Sequence, residues 1–176
     1  MKKIAAAVFV LGGMVLGSAV RAEDLAGKLG MNISVGPSFI VGGAGAQDAS
    51  RVGPHVGAGV EYNLTNALAA NFAYDDLENG IQAQLITFGA TWRPFIQPPW
   101  SPFFGAAAGF GHRYSGDGWD HFGMKLYGGV EHFVDANISV AALLSYYYVA
   151  GPDYRGFGDV HAIEPGVRLN YRFATH

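Results

Sequence analysis

After residue 22 the sequence alternates between apolar and small or polar residues in eight separate segments. In the first, every odd position from Leu29 to Val41 is apolar, whereas the even positions begin with lysine, glycine, asparagine and serine. A period of two is that of a β-strand, whose successive side chains point to opposite faces. The eight predicted strands cover residues 28–41, 52–62, 67–75, 81–94, 103–114, 121–131, 138–148 and 162–173.

Two architectures use strands of this kind. A soluble sandwich packs its apolar faces together and exposes the polar faces to water, whereas a membrane barrel turns its apolar face to lipid. The second face here consists mostly of Gly, Ala and Ser, and only 14% of all residues are charged, which is too few for a solvent-facing surface. Small residues mixed with a few large ones suit an eight-stranded lumen, which side chains fill. We therefore predict an all-β fold, a single eight-stranded antiparallel up-and-down transmembrane β-barrel.

The first 22 residues have the composition of a secretory signal peptide. Two lysines precede an apolar stretch from Ile4 to Gly17, and residues 20–22 supply small side chains at the usual cleavage spacing. The alternative is a transmembrane anchor, for which the stretch is marginally long enough. The acidic residues 23 and 24 favour cleavage. We expect a signal peptide over residues 1–22 and a barrel domain over residues 23–176.

Charge and cysteine content exclude several classes of function. Without residues 1–22 the chain carries 8 basic and 14 acidic side chains, a formal charge of −6, so no nucleic-acid partner is expected. The absence of cysteine excludes disulfide scaffolds, thiolate metal sites and a cysteine nucleophile, and in an exported chain it favours a bacterial envelope. The six histidines lack metal-ligand spacing. We expect neither a metal nor a cofactor.

The connections between the predicted strands differ between the two ends. The turns at residues 63–66, 95–101 and 134–136 are short. The loops at 42–51, 76–80, 115–120 and 150–159 are polar, Gly-rich and acidic, although two of them are unusually short. Outer-membrane barrels have short periplasmic turns and longer outer loops, so we expect a periplasmic N-terminus. Aromatic residues at strand ends are expected to form the interfacial girdles: Tyr62, Tyr74, Trp92, Trp100, Tyr114, Tyr148, Tyr171 and Phe173.

One strand-and-turn unit occurs twice. Residues 59–66 read GVEYNLTN, and residues 129–136, 70 positions later, read GVEHFVDA. In this unit the chain resembles the OmpA-like superfamily of eight-stranded outer-membrane barrels. The final strand, which ends at Phe173, resembles the terminal motif read by the bacterial barrel assembly machinery. The resemblance implies a fold and a bacterial outer-membrane location more than an activity. We expect a monomer in contact with outer-membrane lipid, lipopolysaccharide and that machinery.

Most basic side chains outside the signal peptide fall on the inward face of the predicted strands. Buried charges must be paired or hydrogen-bonded, and an eight-stranded lumen is narrow, so these ions predict a salt-bridged plug. A gate or a narrow polar conduit is the alternative. With Asp75, the predicted lumen charge network consists of Lys28, Glu61, Arg93, Arg113, Lys125, Glu131, Glu164, Arg168 and Arg172.

Catalysis is a further alternative. Lipid A deacylases are barrels of similar size and strand number, and such enzymes need a nucleophile, a base and an orienting acid on one surface. Their His-x-Ser pair is absent, because Ser115 follows His112 by three residues and no serine lies two positions from His132. The sequence therefore predicts a non-enzymatic outer-membrane protein with a structural or surface-interaction role. A narrow channel for small solutes and a lipid A modifying enzyme remain alternatives.

Overall fold

Eight antiparallel strands follow one another around a closed barrel. The structure, a computed structural model, describes residues 25–43, 52–78, 83–96, 99–113, 121–151 and 159–174. Within these ranges no helix is long and apolar enough to cross a membrane. The strands are β1 (Lys28–Gly42), β2 (Val52–Asn63), β3 (Leu68–Leu77), β4 (Ala83–Trp92), β5 (Trp100–Arg113), β6 (His121–Phe133), β7 (Ile138–Val149) and β8 (Val160–Ala174).

The predicted fold class is confirmed, and the strand boundaries differ by a few residues. β4 ends at Trp92 rather than at residue 94, because Pro94 has no N–H with which to extend the ladder. Residues 95–101 were expected to form a turn, but β5 already begins at Trp100, since Ser101 pairs with Glu131 of β6. The signal peptide predicted for residues 1–22 lies outside the described residues and stays a prediction.

Burial alternates along the strands with the period of two. On β1, Met31, Ile33 and Val35 are more than half exposed, whereas Ser34 and Ser38 are buried. The exposed apolar side chains continue around all eight strands and form an apolar belt on the outer wall. An apolar exterior around a polar interior is the arrangement of a membrane-spanning barrel. The strands have 10 to 15 residues, enough for a tilted crossing of the hydrocarbon layer.

The two copies of the repeated unit form the same kind of turn. Thr65 accepts the N–H of Leu68 at 2.9 Å through its hydroxyl, and Asp135, 70 positions later, accepts the N–H of Ile138 at 2.7 Å through its carboxylate. Side-chain oxygens of this kind stabilise tight turns. Both turns lie at the same end of the barrel, together with the start of β1 and the end of β8. We call this the turn end and the opposite one the loop end.

Glycines on the inward face make room for large side chains from other strands. A Cβ atom at Gly105 would lie 2.1 Å from Cζ of Tyr127, and one at Gly57 would lie 2.7 Å from Oδ1 of Asp75. Real Cβ atoms do not approach that closely. The high glycine content is therefore a packing requirement of a narrow lumen that holds several large polar and aromatic residues.

Two inward glycines provide a matched test of this packing. A Cβ at Gly89 would lie 2.1 Å from the carbonyl oxygen of Ala106, whereas one at Gly30 would make an ordinary contact of 3.4 Å with Arg172. We expect Gly89→Ala to lower the free energy of unfolding by about 1–3 kcal/mol through overpacking, and Gly30→Ala to leave it unchanged or slightly raised. Urea unfolding in lipid vesicles measures both. Equal effects at the two positions would contradict the packing argument.

Candidate functional site

Arg93, directly after β4, is the centre of a buried ion cluster near the turn end of the lumen. Its Nη2 donates to Oε1 of Glu61 at 2.6 Å, and its Nε donates to Oε2 of Glu131 at 3.1 Å. Its Nη1 donates to Oδ1 of Asn63 at 3.3 Å. All four residues are buried. The guanidinium thus uses three nitrogens at once, which is the pairing that a buried charge requires.

Glu131 connects Arg93 to a second arginine. Its Oε1 forms an ion pair with Nη2 of Arg172 and accepts hydrogen bonds from the Ser139 hydroxyl at 2.5 Å and the Asn170 amide at 2.9 Å. Three strands, β6, β7 and β8, and the segment after β4 therefore meet at a single carboxylate. We call Glu61, Arg93, Glu131, Ser139, Asn170 and Arg172 the Arg93 cluster.

Arg168 lies in a layer of aromatic rings further along the lumen. Its guanidinium carbon is 4.6 Å from the ring centroid of Phe103 and 5.7 Å from that of Tyr127. The Tyr127 hydroxyl lies 2.7 Å from Oγ1 of Thr91 and accepts from Nδ2 of Asn71 at 2.9 Å. A guanidinium over an aromatic ring is attracted by the ring quadrupole. Among the described residues, Nε and Nη2 of Arg168 nevertheless have no hydrogen-bond partner.

A second polar cluster surrounds His55 towards the loop end. The imidazole Nε2 lies 2.9 Å from Oδ1 of Asp75, and Nδ1 lies 2.6 Å from Oε1 of Glu164. Lys125 donates to the same Asp75 oxygen at 2.8 Å, and the Tyr147 hydroxyl lies 3.1 Å from Asp75 and 2.9 Å from Glu164. The imidazole thus bridges two carboxylates. We call these five residues the His55 cluster.

An apolar layer lies beyond the His55 cluster, at the loop end. Its members point into the lumen and are at most 4% exposed, and they pack on the ring of Tyr147. These six aliphatic side chains carry no polar group that could replace the hydration shell of an ion, so they oppose the entry of ions and water. We call it the apolar cap: Leu77, Ala83, Leu85, Val149, Val160 and Ala162.

A cavity of about 20 Å³ lies between the Arg93 and His55 clusters. Asp75, Thr87 and Arg168 line it, and each has a buried nitrogen or oxygen without a hydrogen-bond partner in the described part of the chain. A cavity needs roughly 10–15 Å³ to hold one water molecule, together with two to four polar partners. This chamber therefore fits a bound water better than a larger solute.

The structure places seven of the predicted charged residues in two clusters and two others outside them. Arg168 lies between the clusters, and Lys28 is half-buried at the turn end, where its Nζ donates to the Ala136 carbonyl at 3.3 Å. The Arg113 side chain lies outside the described part of the chain. The remaining predicted residues divide into Glu61, Arg93, Glu131 and Arg172 in one cluster and Asp75, Lys125 and Glu164 in the other.

Sequence reasoning missed His55, Tyr147 and the apolar cap. His55 and Tyr147 occupy inward positions by strand parity, but histidine and tyrosine are not counted among the formal charges of a sequence, so a search for charges overlooks them. Leu85 and Val149 also occupy inward positions. The rule that apolar side chains of a membrane barrel face lipid fails for these two residues. Their position on the inward face of the strand is the signal that could have identified them.

The His55 cluster does not resemble a metal site. Asp75 and Glu164 contact opposite nitrogens of the imidazole ring, so their oxygens do not converge on a shared point with a histidine nitrogen, as ligands must. Among the described residues no group of three or more His, Asp or Glu side chains is arranged to hold a metal ion.

Comparison with known proteins identifies the fold. The sequence matches no protein-family model and no curated relative. The structure is similar to Neisserial surface protein A, NspA, with a TM-score of 0.63 and 18% identity over 84% of this chain and 98% of that chain. It is also similar to the N-terminal β-barrel domain of Pseudomonas aeruginosa OprF, with a TM-score of 0.56 and 15% identity over 85% and 100% of the two chains. The chain has the fold of the eight-stranded outer-membrane β-barrels.

A third similar structure is the outer membrane protein OprG from Pseudomonas aeruginosa, with a TM-score of 0.55 and 12% identity over 85% of this chain and 97% of that one. At these identities the similarity concerns the fold alone. Together with the apolar belt on the outer wall, the fold supports the predicted location in a bacterial outer membrane.

The Arg93 cluster yields a stability prediction. Glu131→Gln removes the charge that two buried arginines share, and breaking a buried ion pair from one side costs about 3–5 kcal/mol. Glu78→Gln, at an exposed residue beyond β3, serves as the control and is expected to change stability by less than about 0.5 kcal/mol. Urea unfolding in lipid vesicles measures both. A loss at Glu131 no larger than at Glu78 would show that the cluster contributes nothing to stability.

Proposed function

We propose that the chain is a non-enzymatic outer-membrane β-barrel with a closed lumen, whose role is structural or is exercised at the cell surface. The observation that carries this proposal is the filling of the lumen. The Arg93 cluster, the aromatic layer around Arg168, the His55 cluster and the apolar cap follow one another from the turn end to the loop end. Solutes that cross such a lumen must displace all four layers.

Two different physical barriers support a closed lumen. At the turn end, opening requires the separation of buried ion pairs, which leaves charges without partners at a cost of several kcal/mol. At the loop end, the apolar cap excludes ions because it offers no ligands in place of their hydration shells. Because the two barriers have different chemistry, no single change in pH or salt concentration removes both.

Planar-bilayer recordings test the closed lumen. We expect no discrete conductance steps from the unmodified chain. The double variant Leu85→Ser, Val149→Ser makes the apolar cap polar and provides the comparison, because steps that arise only in this variant would assign the main barrier to the cap. Reproducible steps from the unmodified chain would contradict the closed-lumen proposal.

A narrow conduit for small solutes is the second candidate. The observation that favours it is the polar cavity lined by Asp75, Thr87 and Arg168, whose unpartnered atoms fit a bound water. A conduit requires the water to extend past the Arg93 cluster on one side and the apolar cap on the other. The conductance experiment distinguishes this candidate from the closed barrel.

Assembly of the barrel depends on its last strand, and this supports the expected role of the assembly machinery. Phe173 of β8 pairs with Leu29 of β1 and so closes the barrel. We propose that the machinery recognises β8 through its outward residues Val167, Leu169, Tyr171 and Phe173, of which the first three are more than two-fifths exposed.

Lipid A deacylation is the activity that would contradict a non-enzymatic role. His112 lies on the outward face of β5, opposite Gln84 of β4, and Ser115 lies outside the described residues. We expect no release of fatty acid when the purified chain is incubated with lipid A, as measured by mass spectrometry of the lipid. Release that is lost in His112→Ala would overturn this expectation.

A further inference from the structure

A groove of about 550 Å³ lies on the outer wall of the barrel, across β5 to β8. Its centre is Gly128, which pairs with Phe104 on one side and Leu144 on the other. Both neighbours are more than half exposed, and the missing side chain between them forms the depression. Leu126, Tyr146 and Ile163 complete the walls. The volume is within the range of roughly 300–1,000 Å³ of known ligand sites.

The side of the groove nearer the loop end leads to a polar group. Tyr146, which lines the groove, hydrogen-bonds to Nδ1 of His161 at 2.5 Å. The His161 ring also packs against Tyr148, with a distance of 5.3 Å between ring centroids, and the Tyr148 hydroxyl donates to Asp159 at 2.9 Å. Because Nδ1 is engaged by Tyr146, Nε2 is the ring nitrogen of His161 that can meet a ligand.

The groove and the polar group lie at different depths of the membrane. Gly128 is near the middle of β6, whereas His161 is the second residue of β8 at the loop end. The ladder places the pair Tyr148 and His161 four residues beyond the pair Gly128 and Leu144 along β7, or about 13 Å along the strand at 3.3 Å per residue. An apolar depression therefore leads towards a hydrogen-bonding group at the level of the headgroups.

We propose that this groove binds one acyl chain of a phosphate-bearing lipid of the outer leaflet, and that Nε2 of His161 donates a hydrogen bond to the lipid phosphate. The position of the groove argues for this occupant. It lies within the apolar belt, where the surrounding medium is hydrocarbon. A chain in the depression contacts more protein surface than a chain on the neighbouring wall, which increases its dispersion contacts. This role is independent of whether the lumen conducts, and so it goes beyond the function proposed above.

Native mass spectrometry of the full chain in detergent micelles tests the groove, with dimyristoyl phosphatidylglycerol as the probe. We expect one tightly retained lipid per barrel. Gly128→Leu fills the groove and is expected to lower the retained fraction at least tenfold. The Cβ would lie 3.0 Å from the exposed ring of Phe104 and 3.3 Å from the Phe103 carbonyl oxygen, so the ring must shift by a few tenths of an ångström. Ala70→Leu adds a leucine to the exposed face of β3 and is expected to retain lipid like the unmodified chain.

A comparison of two lipids tests the contact between His161 and the lipid phosphate. We expect the unmodified chain to retain phosphatidylglycerol at least fivefold better than dimyristoylglycerol, which has the same chains and no phosphate. His161→Phe keeps an aromatic ring between Tyr146 and Tyr148 but removes the donor, and it is expected to abolish this preference. A preference that survives in His161→Phe, or that is absent from the unmodified chain, would overturn the phosphate contact.

The remaining outcomes are also decisive. Equal retention by Gly128→Leu and Ala70→Leu would show that the bound lipid is an unspecific annulus and would refute the groove. A protein dimer that disappears in Gly128→Leu would assign the groove to a second copy of the chain instead of a lipid. The heat-dependent shift in gel mobility that folded barrels show, measured for every variant, ensures that a loss of lipid is not a loss of fold.

Discussion

The guanidinium of Arg93 joins the two copies of the repeated unit. It binds Glu61 from the first copy and Glu131 from the second, and these glutamates occupy equivalent positions 70 residues apart. Burial of these charges is tolerated only where each meets its partner with good geometry. A slip of one residue in either β2 or β6 would turn its glutamate out into the lipid. The Arg93 cluster therefore fixes the register of β2 relative to that of β6. The positions of the aromatic layer, the His55 cluster and the apolar cap depend on these registers.

Much of this architecture is readable from the sequence, because the two faces of each strand meet different surroundings. Parity alone places Arg93, Arg168 and Arg172 inside the barrel. It does not reveal which carboxylate meets which base, since that depends on the stagger of strands that are far apart in sequence. The beginning of β5 at Trp100 was missed for a related reason, as a segment rich in Pro and aromatic residues reads as a turn until its partner strand is known. The apolar cap was not predicted, because its Leu and Val side chains point into the lumen, whereas apolar side chains of a membrane barrel are expected to face lipid.

The lumen changes character along its length. Ions and their hydrogen-bonding partners fill the turn end, while aliphatic side chains fill the loop end. His55 and Tyr147 lie at the boundary between the two parts. The His55 imidazole and the Tyr147 hydroxyl contact carboxylates on the polar side. The ring of Tyr147 packs against the apolar cap on the other side. Amphipathic side chains of this kind are suited to such boundaries. Tyr147 therefore contacts both the polar and the apolar part of the lumen.

The seam between β1 and β8 joins the first and last strands of the barrel. Each of these strands offers an unpaired ladder of N–H and C=O groups until the other arrives, and hydrocarbon cannot satisfy them. An incomplete barrel is thus unstable in the hydrocarbon layer, even when all its hairpins between neighbouring strands have formed. Contacts between the ends of a chain also form slowly, because the loop entropy of the whole chain opposes them. The pairing of β8 with β1 is therefore the step that gives every strand of the barrel two neighbours before it meets hydrocarbon.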